Sequence, residues 1–92
     1  MKDFKTFKTE ALKNPELRRE YDKLAPRYAV ISELIAARLK NGITQKELAQ
    51  KLHTKQSVIS RLESGNTNPS IGFLEKIAFA MGHKLTVQIQ AI

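Results

Sequence analysis

Cysteine and tryptophan are missing from this chain, and no apolar run comes near the roughly 18 residues a membrane-spanning helix needs. The first absence excludes disulfides and cysteine-based metal sites, and the second excludes a helical anchor within this sequence. No secretory signal pattern is present either, so a reducing, cytoplasmic setting is expected. Only two histidines occur, His53 and His83, with no acid pattern beside them that would complete a catalytic or metal-binding set. A glycine-rich phosphate loop is lacking as well, so neither an enzyme nor a cofactor is expected. Acids are scarce, nine against sixteen Lys and Arg, which gives a formal charge of +7 and a pI near 9.9. That balance favours a polyanionic partner. With 92 residues the chain is expected to form one domain with a small core.

The most informative stretch is residues 44–63, TQKELAQKLHTKQSVISRLE, which reads as two short helices joined by a tight turn. Thr44 and Glu47 have the spacing of a capping box, and Ile43 can staple onto Leu48. Leu48, Ala49 and Leu52 supply the inner face of the first helix. After His53 the second helix is expected to open with Thr54 as its cap and to bury Val58, Ile59 and Leu62. Helices this short must pack against one another, and the small Ala49 suits a close crossing. Outside the second helix remain Lys55, Gln56, Ser57, Ser60 and Arg61. Donors and acceptors with positive charge alone form a face suited to a DNA major groove. The charge is concentrated here. From residue 38 to residue 61 the bases are Arg38, Lys40, Lys46, Lys51, Lys55 and Arg61 against the single acid Glu47, whereas the first 24 residues mix seven bases with five acids.

Residues about 30–82 resemble the phage-repressor and Cro-type helix-turn-helix family, also called the XRE family. The match runs through Gln45, Glu47, Leu48, Ala49, Leu52, Gln56, Ser57, Ile59, Ser60, Arg61, Leu62 and Glu63-Ser64-Gly65, then Pro69-Ser70 and a further helix. His53 stands where the family usually has glycine; histidine tolerates left-handed backbone better than most residues, so the turn is expected to survive with some strain. The resemblance implies a pair between Arg38 and Glu63, tying the first family helix to the end of the second helix of the motif. It also implies that the loop after Gly65 lies along phosphates, which makes Ser64, Asn66 and Asn68 candidates for backbone contacts.

In chain order, residues 1–25 form a helical extension. Asp3 could cap a short helix carrying Phe4, Phe7 and Ala11 on one side, ended by Asn14-Pro15. Residues 15–24 continue with a narrow stripe of Leu17, Tyr21 and Leu24 opposite the charged Arg18, Arg19, Asp22 and Lys23. Ala25-Pro26 should interrupt or kink the helix at that point. Residues 26–82 are the helix-turn-helix domain. Its first helix, residues 26–40, offers Val30, Ile31, Leu34, Ile35 and Leu39 to the core and stops at Asn41-Gly42; its last is capped by Ser70, buries Phe73, Leu74, Ile77, Ala78 and Met81, and stops at Gly82. Residues 83–92 change period. Leu85, Val87 and Ile89 alternate with Thr86, Gln88 and Gln90, the pattern of a strand. No other strand is legible to pair with it, so it either pairs with its twin across a twofold axis or docks on the helices of its own chain. The first option is expected, giving a homodimer that reads a palindrome. The fold class is therefore mostly α: a five-helix-type repressor-like domain with an N-terminal helical extension and a C-terminal dimerisation strand.

This order, a mixed-charge extension containing KNPELRREYDKL, then SRLESG and NPS, then KLTVQI, resembles HigA-type antitoxins of bacterial toxin-antitoxin modules. The resemblance implies a protein that binds and neutralises a HigB/RelE-like messenger-RNA endonuclease and represses its own operon. Such toxins are commonly basic, so binding here would rest on the apolar anchors Phe4, Phe7, Leu17 and Tyr21 with local acids such as Glu10, Glu16, Glu20 and Asp22. At the DNA, Thr44 and Gln45 are expected on phosphate; Gln56, Ser57 and Arg61 on base edges; and Lys55, Ser60 and the amides of Ser64 and Asn66 at the margins. A free-standing dimeric repressor without a toxin, and an adaptor that keeps the fold without reading DNA, are the alternatives.

Overall fold

A computed structural model describes residues 9–10 and 13–91; Phe4, Phe7 and the Asp3 cap lie outside the described residues. From residue 13 on, the described residues form four helices in succession: α1 (Pro15–Lys40), α2 (Gln45–Lys51), α3 (Gln56–Glu63) and α4 (Ile71–Ala80). No strand occurs among the described residues.

The helix starts are set locally. Asn14 Oδ1 accepts from Glu16 N at 2.9 Å with Pro15 at the first helical position. Thr44 and Glu47 close the capping box, with Glu47 N donating to Thr44 Oγ1 at 3.0 Å and Thr44 N to Glu47 Oε1 at 3.3 Å. Ser70 Oγ accepts from Phe73 N at 3.1 Å. The expected Thr54 cap is not used. Because α3 begins at Gln56, the N-cap falls to Lys55, which makes no side-chain cap, while Thr54 N donates to Ala49 O at 2.9 Å and closes the preceding turn.

Pro26 does not end the first helix, as its position suggested; α1 runs through it for 26 residues. A proline there removes the bond to the carbonyl of Asp22, but Asp22 and Pro26 are both exposed, so water can take that carbonyl.

The core is one cluster in which Leu48, Ile59 and Ile77 are sealed from solvent, with Ile31, Leu34, Ala49, Leu62, Leu74 and Met81 around them. Two residues expected inside are outside. On α1 the inward stripe is Ile31, Leu34 and Arg38, spaced i, i+3, i+7, so the position after Arg38 turns away and Leu39 is 64% exposed. On α3, Ile59 and Leu62 fill the inward side, and Val58 is rotated onto the flank at 38% exposure.

The turns between helices use left-handed backbone. His53 has φ 54°, the conformation its place in the motif demanded. Gly65 has φ +82°, and a Cβ added there would lie 3.0 Å from Cε1 of Tyr28; Gly42 has φ +67° and open space. Gly65→Ala is therefore expected to cost more than about 1 kcal/mol and to exceed Gly42→Ala in the same thermal melts. Equal losses would mean that Tyr28 yields freely.

After Gly82 the tail runs without regular structure, and its Leu85 packs half-buried against the core cluster. Val87 and Ile89 are 61% and 100% exposed.

Candidate nucleic-acid interface

The second helix of the motif, α3, is closed at its C-terminal end by the residues that follow it. At its C-terminus Ser64 N donates to Ser60 O at 3.1 Å, Gly65 N to Leu62 O at 3.1 Å and Asn66 N to Arg61 O at 3.2 Å. Ser64 Oγ adds a bond to Arg61 O at 2.8 Å. These bonds satisfy carbonyls that a helix end leaves open. They also occupy the amides of Ser64 and Asn66 that were expected at the margins of the DNA contact. At that margin Asn66 offers its exposed side chain rather than its backbone.

Glu63 joins the three elements that carry the site. Arg38 Nε donates to Glu63 Oε2 at 2.6 Å, and Nη2 to Oε1 at 2.8 Å, a two-pronged ion pair whose side chains are 11% and 9% exposed. The third arm of the guanidinium, Nη1, donates to Ile43 O at 2.9 Å. Gln45 Nε2 reaches the same carboxylate, donating to Oε1 at 3.0 Å. One buried pair thus ties α1 to the end of α3 and to the start of α2. The Arg38–Glu63 pair implied by the resemblance is present; the Ile43 and Gln45 contacts were not legible in the sequence, because they depend on how the helices cross.

With that frame in place, the outward side of α3 is polar and exposed. Gln56, Ser57, Ser60 and Arg61 are exposed, as is Lys55 at the cap, and none of their side chains bonds to another described residue. Ile59 and Leu62 point inward, so the helical period sets Ser57 and Arg61 opposite the core, with Gln56 and Ser60 on one flank and Val58 on the other. Lys46 and Lys51 are exposed on α2. Thr44 is exposed, but its hydroxyl already accepts from Glu47 N; Gln45 is half-buried and has one amide hydrogen left after its bond to Glu63.

The other expected contact residues are placed less uniformly. Leu17 and Tyr21 are half-buried on α1, where the Tyr21 ring lies 6.4 Å from that of Tyr28. Leu85 is half-buried, and Val87 and Ile89 are open. Phe79, at the end of α4, is 84% exposed, a position the sequence pattern did not single out. No described helix is long and apolar enough to cross a membrane.

Comparison with known proteins agrees with this arrangement. An uncharacterised HTH-type transcriptional regulator of Haemophilus influenzae is 41% identical over 61 residues, covering 66% of this chain and 62% of that protein. A putative multi-protein-binding factor 1 of Yarrowia lipolytica is 40% identical over 52 residues, and human endothelial differentiation-related factor 1 is 46% identical over 48 residues. The matched stretch spans less than two thirds of the first relative and about a third of the other two, at 34% and 32%. Among solved structures, a chain of a toxin-antitoxin module from Streptococcus pneumoniae superposes with a TM-score of 0.60 at 36% identity, covering 79% of this chain and 80% of that one. The helix-turn-helix family model matches residues 34–85, from the inward Leu34 of α1 through both helices of the motif to the Leu85 that closes the core, and the chain belongs to that family.

Proposed function

We propose that the chain is the antitoxin of a type II toxin-antitoxin module: it binds and neutralises a HigB/RelE-like messenger-RNA endonuclease and represses its own operon by binding DNA. The observation that carries this reading is the likeness to the Streptococcus pneumoniae toxin-antitoxin structure, which extends over 79% of the chain and so beyond the 52 residues of the family match. The free polar face of α3 supports the DNA half. In this reading Arg61, Gln56 and Ser57 meet base edges, Lys55 and Ser60 flank them, and Thr44, Gln45 and the side chain of Asn66 lie near phosphate, while Ser64, whose amide and hydroxyl are spent on closing α3, shapes that margin without a contact of its own.

The chain acts as a homodimer on a palindrome. Its tail supports this. The backbone of residues 84–91 makes no hydrogen bond to the described residues, Val87 and Ile89 are open, and Leu85 anchors the segment to its own core. A twin strand would satisfy that backbone. Leu17 and Tyr21, half-buried on α1, are the candidates for toxin contact among the described residues, and the sequence adds Phe4 and Phe7 to them.

The Haemophilus influenzae relative, described as a transcriptional regulator, favours a second reading, a dimeric repressor with no toxin partner. A pull-down of the tagged chain from its own cells, beside a truncation lacking residues 1–24, separates the two. A small basic protein retained by the full chain and lost with the truncation is the expected result. Recovery of the chain's own dimer and promoter DNA alone would favour the repressor.

A further inference from the structure

Val58 is an exposed apolar residue at the edge of a polar face, where that face meets an apolar groove. It is 38% exposed on α3, three residues before Arg61, and together they line a groove of about 230 Å³ completed by Leu62, Thr67, Pro69 and Phe73. The core does not use it, since Ile59 and Leu62 occupy the inward side. Valine is also a poor choice for an exposed helical position, where its branched side chain loses rotamer freedom and a straight-chain residue would serve better. Its methyl groups are thus held beside the guanidinium proposed to read a base, on the flank opposite Gln56 and Ser60.

We infer that Val58 is a specificity-determining residue: it receives the C5 methyl of a thymine in the base pair next to the one read by Arg61. The inference rests on the proposed DNA reading and adds to it a base and a residue. Three residues along a helix rise roughly 4.5 Å, close to the roughly 3.4 Å between stacked base pairs, so Val58 and Arg61 address neighbouring steps. Valine carries no donor or acceptor, so it reads only the feature thymine alone presents in the major groove, its methyl group. Cytosine at the same place would set an amino donor against methyl groups with nothing to receive it.

The test uses the full chain and a binding site selected from a randomised duplex library. In that site each thymine within two base pairs of the position that Arg61→Ala relaxes is replaced in turn by deoxyuridine, which lacks only the methyl. The wild-type chain is expected to lose about fourfold in affinity at one such position per half-site, the equivalent of ~0.8 kcal/mol for one buried methyl. Val58→Ala, at a position open enough to leave the fold intact by circular dichroism, is expected to lose most of that difference between thymine and deoxyuridine. Restoring the methyl as 5-methylcytosine opposite guanine should recover part of the wild-type affinity and much less in Val58→Ala. Equal binding of thymine and deoxyuridine by the wild type, an unchanged ratio in Val58→Ala, or a selected site without a thymine in that window would overturn the inference while leaving DNA reading intact. Selection of no sequence at all would overturn both.

Discussion

Arg38→Ala is expected to destabilise the domain by about 3–5 kcal/mol, which for a chain of this size is a large share of its total stability. The arginine supplies two of the three hydrogen bonds reaching Glu63 and one to the carbonyl of Ile43. Removing it leaves a carboxylate with a 9% exposed side chain facing the Gln45 amide alone, with Oε2 unpaired. The cost comes mostly from that stranded charge. Arg38→Met with Glu63→Leu removes both charges at similar volume and is therefore expected to cost much less than Arg38→Ala alone. Arg38→Lys keeps the charge but not the fork, and should fall between the two. Urea denaturation of the four proteins measures all of this. If Arg38→Ala and the double variant were equally destabilised, the loss would lie in packing, and the ion pair would not be what holds α3 to α1.

Arg61→Ala is expected to lower affinity for the selected site by about 1–3 kcal/mol and to leave affinity for random DNA nearly unchanged. The fold should not notice the change. Arg61 is exposed, its side chain bonds to no described residue, and what the helix end uses is its carbonyl, which Ser64 Oγ and Asn66 N hold whichever side chain is present. A guanidinium free of internal partners can present two of its donors side by side to a guanine. Lys51→Ala provides the contrast. An exposed ammonium on α2 can add only sequence-blind attraction to phosphates, so its loss should weaken both DNAs alike and reduce the salt slope by about 1. Fluorescence anisotropy with both duplexes at several salt concentrations separates the two roles. Equal losses on both DNAs for Arg61→Ala would remove it from base reading.

Neighbouring residues settle some features among themselves, and those features were legible in the sequence. Thr44 with Glu47, Ser70 before Phe73, and Asn41-Gly42 at the end of α1 are local devices, and each is found where its spacing placed it. His53 also took the left-handed backbone that its place in the motif required. The residues that resisted reading are those whose place depends on a partner helix. Leu39 is apolar and Arg38 is charged, yet the i, i+3, i+7 period from Ile31 turns Arg38 inward, where Glu63 and Ile43 O satisfy its charge and donors. Val58 fits the inward pattern of α3, but the packed helices take Ile59 and Leu62 inward and leave Val58 on the flank. Pro26 suggested an interruption or a kink by local rules, and the helix runs through it at a place where both Pro26 and Asp22, whose carbonyl loses its partner, are exposed. At the site, the outward side chains of α3 could be named in advance, but not that Gln45 is half committed to Glu63 or that the amides of Ser64 and Asn66 are consumed in closing the helix. The tail shows the same division. Its alternation is readable, and the surface that Leu85 occupies is set by the packed helices.

The claim on which the rest depends is that the outward face of α3 reads sequence. The most direct test is a competition in which the full chain, bound to its selected duplex, is challenged with a scrambled duplex of the same length and composition at physiological salt. The account predicts that the selected site is held at least about 10³-fold more tightly, with a preference that survives as salt rises while both affinities fall. Equal displacement by the two duplexes would contradict it, and would leave the exposed face of α3 as a merely basic surface.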